Sequence, residues 1–186
     1  MHNLIKQFEV FPTIPVLTFN APYHALKTTE ALLKKGLKNL EITLRTPHAP
    51  ACIEAVIRTF PEATIGAGTL TKVEQFSMVK ALGCDFAVSP GFTTEMIDAA
   101  ADAEIPYLPG VSTPSEIIAL SSLGINFQKF FHAGNAGGIT MLKAYATIFP
   151  DILFCPTGGI TAEDYQSYLA LGNVLCVGGS WMAKDL

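Results

Sequence analysis

The sequence has few cysteines, few charges and no long apolar run. Its four cysteines (Cys52, Cys84, Cys155 and Cys176) form no CxxC pair, so we expect buried free thiols rather than disulfides or a zinc site. The four histidines show neither HxH nor HExxH spacing, which disfavours a metal-dependent reaction. Only 15% of residues are charged, and the net charge of −4 comes without a run of basic residues. This balance disfavours nucleic acid and anionic membranes as partners.

The chain also lacks a targeting or membrane signal. No stretch approaches membrane-spanning length, and the N-terminus (MHNLIKQFEVFP) lacks the apolar core of a signal peptide. We therefore expect a cytoplasmic protein. With 186 residues, of which 49% are hydrophobic, we expect a single domain over residues 1–186 whose strands are largely buried.

Short apolar runs alternate with amphipathic segments along the chain. Eight strands are predicted, at 13–19, 39–44, 64–67, 85–89, 105–108, 126–131, 152–157 and 174–177. Helical patterns lie at 23–35, 71–82, from Thr93, from Pro114 to near Gly124 and at 162–171, besides an N-terminal helix. The strands recur roughly every 20 to 25 residues, the spacing of strand–loop–helix–loop units.

This alternation is compatible with an open doubly wound sheet or with a closed α/β barrel. The even spacing, the absence of a dinucleotide-binding fingerprint after the first strand and the polar groups at most strand ends favour a (β/α)8 TIM barrel. The chain stops at Leu186, just after the eighth strand. We therefore expect a barrel that lacks its eighth helix, its seam covered by the N-terminal segment or a neighbouring subunit unless the chain is shortened.

Two predicted strands carry polar residues on the face that a barrel turns inward. In NFQKFF, Lys129 shares its face with two phenylalanines. A charged amine is costly to bury there, which favours a neutral nucleophile, although a lysine reaching out of the barrel mouth fits the same pattern. In LEITLR, Glu41 and Arg45 share one face. They form either a structural ion pair or a proton-transferring carboxylate beside a carboxylate-binding guanidinium.

Glycine-rich segments follow several of the predicted strands. They are GAGT at 66–69, SPG at 89–91, PTGG at 156–159 and GGS at 178–180. The last two follow the seventh and eighth strands, where barrels often bind phosphate through backbone N–H groups. Tight turns need glycine in any case, but Thr157 and Ser180 beside these glycines favour a phosphate site.

Together the motifs LEITLRT, GAGT, SPG, PGVSTPSE, KFF, CPTGGI and GGSW resemble the 2-keto-3-deoxy-6-phosphogluconate (KDPG) aldolase family over nearly the whole chain. These class I aldolases of the Entner–Doudoroff pathway are trimeric barrels. They cleave a phosphorylated 2-keto acid to pyruvate and glyceraldehyde 3-phosphate without a cofactor or metal. The resemblance therefore implies a lyase with a small-molecule substrate, assembled as a homotrimer.

Matched position by position, the resemblance assigns roles to individual residues. Lys129 would form the Schiff base, Glu41 would act as general acid and base, and Arg45 would bind the pyruvate carboxylate. The remaining substrate-binding residues would be Thr69, Pro90, Phe131, Thr157, Gly158, Gly159, Gly179 and Ser180. Thr157 favours phosphogluconate over phosphogalactonate as the substrate.

The chain departs from the family after KFF, where HAGNAGG replaces a run that begins with PAE, so we expect a different loop at His132 and Gly134. Two other aldolase substrates stay open, namely 2-keto-3-deoxy-6-phosphogalactonate and 4-hydroxy-2-oxoglutarate. A barrel that binds phosphosugars without turnover is the alternative of another class. In such a barrel Glu41 would only pair with Arg45. A phosphosugar epimerase or a barrel like thiamine-phosphate synthase would not need the inward lysine.

Overall fold

The structure is a computed structural model that describes residues 2–184 and residue 186. Its strands are β1 (Thr13–Leu17), β2 (Asn39–Thr43), β3 (Thr64–Gly68), β4 (Phe86–Val88), β5 (Tyr107–Leu108), β6 (Gly110–Val111), β7 (Phe127–Phe131), β8 (Leu153–Thr157) and β9 (Val177–Gly179). Its α-helices are α1 (His2–Val10), α2 (Pro22–Lys34), α3 (Ala49–Thr59), α4 (Glu74–Ala81), α5 (Thr94–Asp102), α6 (Pro114–Ser122), α7 (Gly138–Ile148) and α8 (Tyr165–Leu169). A 3₁₀ turn follows at Trp181–Ala183.

All strand pairs are parallel, in the order β5-β4-β3-β2-β1-β9-β8-β7-β6. The two ends of this order, β5 and β6, are separated in the chain only by Pro109. Proline has no N–H for the ladder, while its carbonyl accepts a hydrogen bond from the Lys129 N–H at 2.9 Å. The sheet therefore curls into a barrel whose edges meet at this segment, as the alternation predicts.

All eight predicted strands are present, each with bounds that differ by one to three residues, and the fifth and the last differ most. The fifth runs on past Leu108 as the pair β5 and β6, because the proline interrupts the ladder without changing the direction of the chain. The last begins at Val177, and Val174 makes only an isolated bridge to Phe154. The helix predicted at 162–171 is shorter, at Tyr165–Leu169.

The helices begin where local chemistry favours it. Thr93 caps α5, its hydroxyl accepting a hydrogen bond from the Met96 N–H at 3.3 Å. Thr113 caps α6 with Pro114 in the first turn, and the Glu116 carboxylate accepts the Thr113 N–H at 2.8 Å. This reciprocal arrangement is a capping box, which satisfies backbone donors that the first turn leaves unpaired.

Helix α1 plugs the N-terminal end of the barrel. The Phe8 ring is fully buried, its centroid 5.4 Å from that of Phe86 and 5.9 Å from that of Phe127. Two further apolar clusters fill the layer between the sheet and its surrounding helices. With one end closed by aromatic side chains, the carboxyl ends of the strands are the open face, where sites of parallel barrels form.

The four cysteines are free and buried, as predicted. Burial, together with the neighbouring Cys155, raises the pKa of Cys176 well above its ordinary value, so this thiol stays neutral. None of the helices in the described part of the chain has the length and apolar character that a membrane span requires.

Candidate active site

Strands β7 and β2 bring Lys129 and Glu41 together inside the barrel. The Lys129 amine lies 3.3 Å from each oxygen of the Glu41 carboxylate. Both residues are almost fully buried, with 4% and 3% of their surfaces exposed. The pair is therefore an ion pair shielded from water, in which burial opposes the charges and the short separation favours them.

Because side chains alternate between the two faces of β7, the Lys129 amine points into the barrel. Phe127 packs in the barrel interior below it, whereas Phe130 packs outward against the helices. The Gln128 amide also points outward and donates to the Ile125 carbonyl at 2.8 Å. The Phe131 ring centroid lies 5.3 Å from the Lys129 amine, within the range of a cation–π contact.

Glycine on the neighbouring strand makes room for the carboxylate. Gly68 of β3 pairs with Thr43 of β2, and a β-carbon at Gly68 would overlap the Glu41 carboxylate. Glycine in the GAGT segment therefore leaves space for the Glu41 side chain, besides permitting a tight turn. Gly110 has a similar role in β6, where a β-carbon would overlap the Pro90 carbonyl.

Arg45 lies just beyond the end of β2, at the barrel mouth. Its Nε donates to the Thr69 hydroxyl at 3.1 Å, and no hydrogen bond or ion pair joins it to Glu41 in the described part of the chain. Thr69 has a left-handed backbone with φ of +62°, a conformation that costs a non-glycine residue about 1–3 kcal/mol. The guanidinium is exposed, so it is available to an incoming anion.

A cavity of about 210 Å³ opens beside Arg45, at the carboxyl ends of β7, β8 and β9. Its lining comprises Val16, Thr18, Arg45, Phe131, His132, Thr157, Gly158, Gly159, Ile160, Gly179 and Ser180. Gly158 and Gly159 have φ of +96° and +75°, which only glycine adopts without strain. A β-carbon at Gly178 would overlap the Thr157 hydroxyl, so small residues keep the cavity open.

Most of the predicted site residues fall in two adjoining groups. Lys129 and Glu41 form the buried pair, and seven of the predicted binding residues line the cavity, namely Arg45, Phe131, Thr157, Gly158, Gly159, Gly179 and Ser180. Thr69 is joined to them through Arg45. Pro90 lies at the same end of the barrel, exposed, without lining the cavity.

The cavity also has lining residues that were not predicted as binding residues. Thr18 and Val16 come from the end of β1, where a hydroxyl after an apolar strand was a usable signal. The Thr18 hydroxyl lies 2.7 Å from that of Thr43, the neighbour of Glu41 on the inner face of β2. Ile160 also lines the cavity, but its apolar side chain does not indicate a binding residue in the sequence. His132, at the point where the chain departs from the family pattern, also lines the cavity.

A larger cleft of about 630 Å³ lies at the opposite, N-terminal end, with an apolar lining that includes Ile5, Ile105, Leu123 and Leu153. None of the predicted site residues lines it. Within residues 2–184 and residue 186, no group of three or more His, Cys, Asp or Glu side chains is placed to hold a metal ion.

Comparisons with known proteins agree on one family. The family model of KDPG and KHG aldolase matches residues 4–186. A 2-dehydro-3-deoxy-phosphogluconate aldolase of Pseudoalteromonas atlantica is 44% identical over 96% of this chain and 83% of its own. The KHG/KDPG aldolase of Escherichia coli K12 is 43% identical over 92% of this chain and 80% of its own.

A solved structure is also closely similar. It is a KDPG aldolase from Legionella pneumophila with pyruvate captured as a covalent carbinolamine intermediate. It is 48% identical, its TM-score is 0.92, and the match covers 96% of this chain and 86% of that one.

Proposed function

The chain belongs to the KDPG and KHG aldolase family, and we propose that it is a class I aldolase that cleaves KDPG to pyruvate and glyceraldehyde 3-phosphate. The observation that carries this proposal is the buried contact between Lys129 and Glu41 at 3.3 Å. A buried lysine becomes a nucleophile when its amine transfers a proton to the neighbouring carboxylate. The cavity beside it supplies a place for an anionic substrate.

Lys129 begins the reaction. Its amine, having given a proton to Glu41, adds to the C2 carbonyl of the substrate to form a carbinolamine. Loss of the carbinolamine hydroxyl as water leaves a protonated imine. A solved relative holds pyruvate as a carbinolamine, which supports the same addition here. The Glu41 carboxyl group is near enough to supply and remove the protons of these steps.

Cleavage follows because the imine accepts electrons. A base removes the proton of the C4 hydroxyl, the bond between C3 and C4 breaks, and the electron pair moves into the protonated imine. The products are glyceraldehyde 3-phosphate and an enamine of pyruvate. Protonation of the enamine at C3, followed by hydrolysis, releases pyruvate and restores the Lys129 amine. Glu41, acting through water, fits both proton transfers, and such catalysis contributes on the order of a hundred- to ten-thousand-fold.

The remaining residues hold the two ends of the substrate. Arg45 is exposed at the barrel mouth, held by Thr69, and suits the carboxylate of the pyruvate half. The turns at Gly158–Gly159 and Gly179–Ser180 suit the phosphate, since backbone N–H groups of such turns bind anions. Fixing both ends keeps the breaking bond beside the amine.

Two related substrates are alternatives within the same chemistry. A relative carries the name KHG/KDPG aldolase, which favours 4-hydroxy-2-oxoglutarate as a second substrate. The other alternative is 2-keto-3-deoxy-6-phosphogalactonate. The Thr157 side chain in the cavity favours the phosphogluconate over this compound. Comparing kcat/KM on the three compounds separates them.

A barrel that only binds phosphosugars is less consistent with the geometry. It requires Glu41 to pair with Arg45, whereas the carboxylate contacts the lysine and the guanidinium contacts Thr69. We further propose a homotrimer located in the cytoplasm, as the family resemblance implies. Sedimentation velocity tests the first of these assignments and cell fractionation the second.

The deciding experiment is borohydride reduction in the presence of pyruvate, followed by peptide mass spectrometry. We expect a reduced pyruvate adduct on Lys129, none in Lys129→Ala, and a normal adduct in Lys143→Ala, which alters an exposed lysine of α7. Folded protein that forms no adduct would refute the Schiff-base mechanism. An adduct on another lysine would refute the assignment of the nucleophile.

A further inference from the structure

His132 holds a position in the cavity that the roles proposed above leave without a function. It is the first residue after β7, and its side chain lines the cavity together with Arg45 and Ser180. The backbone beside it is joined to the neighbouring strand β8, because the Ala133 N–H donates to the Thr157 carbonyl at 2.9 Å. This bond holds the chain at His132 next to the glycine turn that follows β8.

The imidazole ring packs directly on that glycine turn. A β-carbon at Gly158 would come within 2.6 Å of the ring carbon Cδ2 and 2.8 Å of Nε2. A β-carbon at Gly159 would lie 3.3 Å from Cε1. The ring thus lies beside the turn proposed to bind the phosphate.

The two ring nitrogens have different surroundings. Nδ1 is buried without a hydrogen-bond partner, whereas Nε2 has no partner among the described residues and is not enclosed. The protein therefore makes no use of Nδ1, and Nε2 is the ring nitrogen left to hydrogen-bond with a ligand in the cavity. An Nε2–H group there is a donor.

The lining of the cavity suits an anion. Thr157 and Ser180 provide hydroxyl groups, and no acidic side chain contributes to the lining in the described part of the chain. The nearest proposed catalytic carboxylate, Glu41, is paired with Lys129. A hydrogen-bond donor on this wall of the cavity therefore meets no acidic acceptor of the protein. It is free to donate to an acceptor of the substrate.

We propose that His132 is a specificity-determining residue whose Nε2 donates a hydrogen bond to the phosphate group of the substrate. The inference rests on the proposed function, because it adds a side-chain donor to the backbone donors of the same phosphate site. It makes this side chain contribute to the preference for phosphorylated over unphosphorylated substrate. The imidazole also supports the Gly158–Gly159 turn by contact, so the test must separate donation from packing.

Two substitutions make that separation. His132→Leu keeps a side chain of similar bulk against the turn but removes the donor, and His132→Gln restores an N–H donor. His48→Leu is the control, since His48 is exposed at the start of α3 and lines none of the cavities described above. Binding of glycerol 3-phosphate, with glycerol as the reference, is measured by calorimetry. Thermal unfolding reports on the integrity of each variant.

The expected result is a rise in the Kd for glycerol 3-phosphate of roughly 10-fold to 100-fold in His132→Leu, the effect of losing a hydrogen bond to a charged group. His132→Gln should recover most of the affinity, and His48→Leu should bind normally. In turnover, kcat/KM should fall in His132→Leu for KDPG but not for unphosphorylated 2-keto-3-deoxygluconate.

Unchanged binding in His132→Leu would overturn the proposal. Equal weakening in the Leu and Gln variants would also overturn it, because packing alone would then explain the effect. The binding experiment needs no turnover, so it stands apart from the trapping of pyruvate on Lys129. Failure of that trapping counts against the proposed function, whereas failure of phosphate binding counts against the role of His132.

Discussion

The Lys129 amine contacts both oxygens of the Glu41 carboxylate at 3.3 Å, although 88 residues separate the two in the chain. Each comes from the inner face of a different strand, and the barrel closes the distance. Both side chains are almost fully buried, so the contact between them is shielded from water. This contact is the basis for proposing Lys129 as the nucleophile and Glu41 as its proton acceptor.

Substituting the carboxylate tests this relationship. Glu41→Gln keeps the shape of the side chain but removes its proton-accepting ability, so we expect kcat to fall on the order of a hundred- to ten-thousand-fold. The rate of pyruvate trapping should fall with it, as measured by quenching borohydride reactions over time. Glu54→Gln, at an exposed position of α3, should behave as the wild type. Normal turnover in Glu41→Gln would exclude Glu41 as the general acid and base.

Removing the guanidinium at the barrel mouth should weaken capture of pyruvate. For Arg45→Ala we expect the pyruvate concentration that gives half-maximal trapping to rise roughly 10-fold to 100-fold, since a charge-assisted hydrogen bond is lost. Binding of glyceraldehyde 3-phosphate should change less. Arg58→Ala on α3 removes an exposed arginine away from the site and serves as the control. Equal weakening of both ligands would contradict the assignment of Arg45 to the carboxylate.

The smallest informative change is a methyl group on β3. In Gly68→Ala the new β-carbon overlaps the Glu41 carboxylate, so the carboxylate must leave its present position beside the lysine. We expect kcat to fall on the order of a hundredfold or more, with KM less affected, in steady-state assays corrected for the folded fraction. Gly172→Ala adds the same methyl group where nothing lies within 4 Å. A stability loss in Gly68→Ala without a kcat loss would show that Gly68 serves packing alone.

Stability should depend on pH through the capping box of α6. Burial raises the pKa of Glu116, but hydrogen bonds from the N–H and hydroxyl groups of Ser112 and Thr113 outweigh it, and the net pKa is lowered. A carboxyl group with a lowered pKa in the folded state stabilises the protein above its ordinary pKa, and this contribution is lost as the pH falls through the folded value.

Glu116→Ala should therefore lower the free energy of unfolding by about 1 kcal/mol at pH 7 and by less in acid. Urea unfolding at pH 7 and in steps below pH 5 measures this difference. Glu62→Ala, at an exposed position, corrects for the general loss of a carboxylate. A difference that stays constant down to the lowest pH would contradict the role of the charged capping box.

Much of the fold was readable from the sequence because the signals are local. The inward orientation of Lys129 follows from the two-residue period of a strand, and the start of α6 follows from Thr113 and Pro114. The recurrence of strand and helix patterns predicts a barrel. The resemblance to known aldolases names the site residues.

Only the tertiary structure decided which of these residues meet. The sequence allowed Glu41 to pair with Arg45, four residues away on the same face. The closed barrel instead brings Glu41 to Lys129 and leaves Arg45 with Thr69. Likewise, only the fold shows that the His132 ring lies against the glycine turn that follows β8. Periodicity depends on neighbours along the chain, whereas contacts across a barrel depend on strand order and closure, which residues far apart in sequence determine jointly.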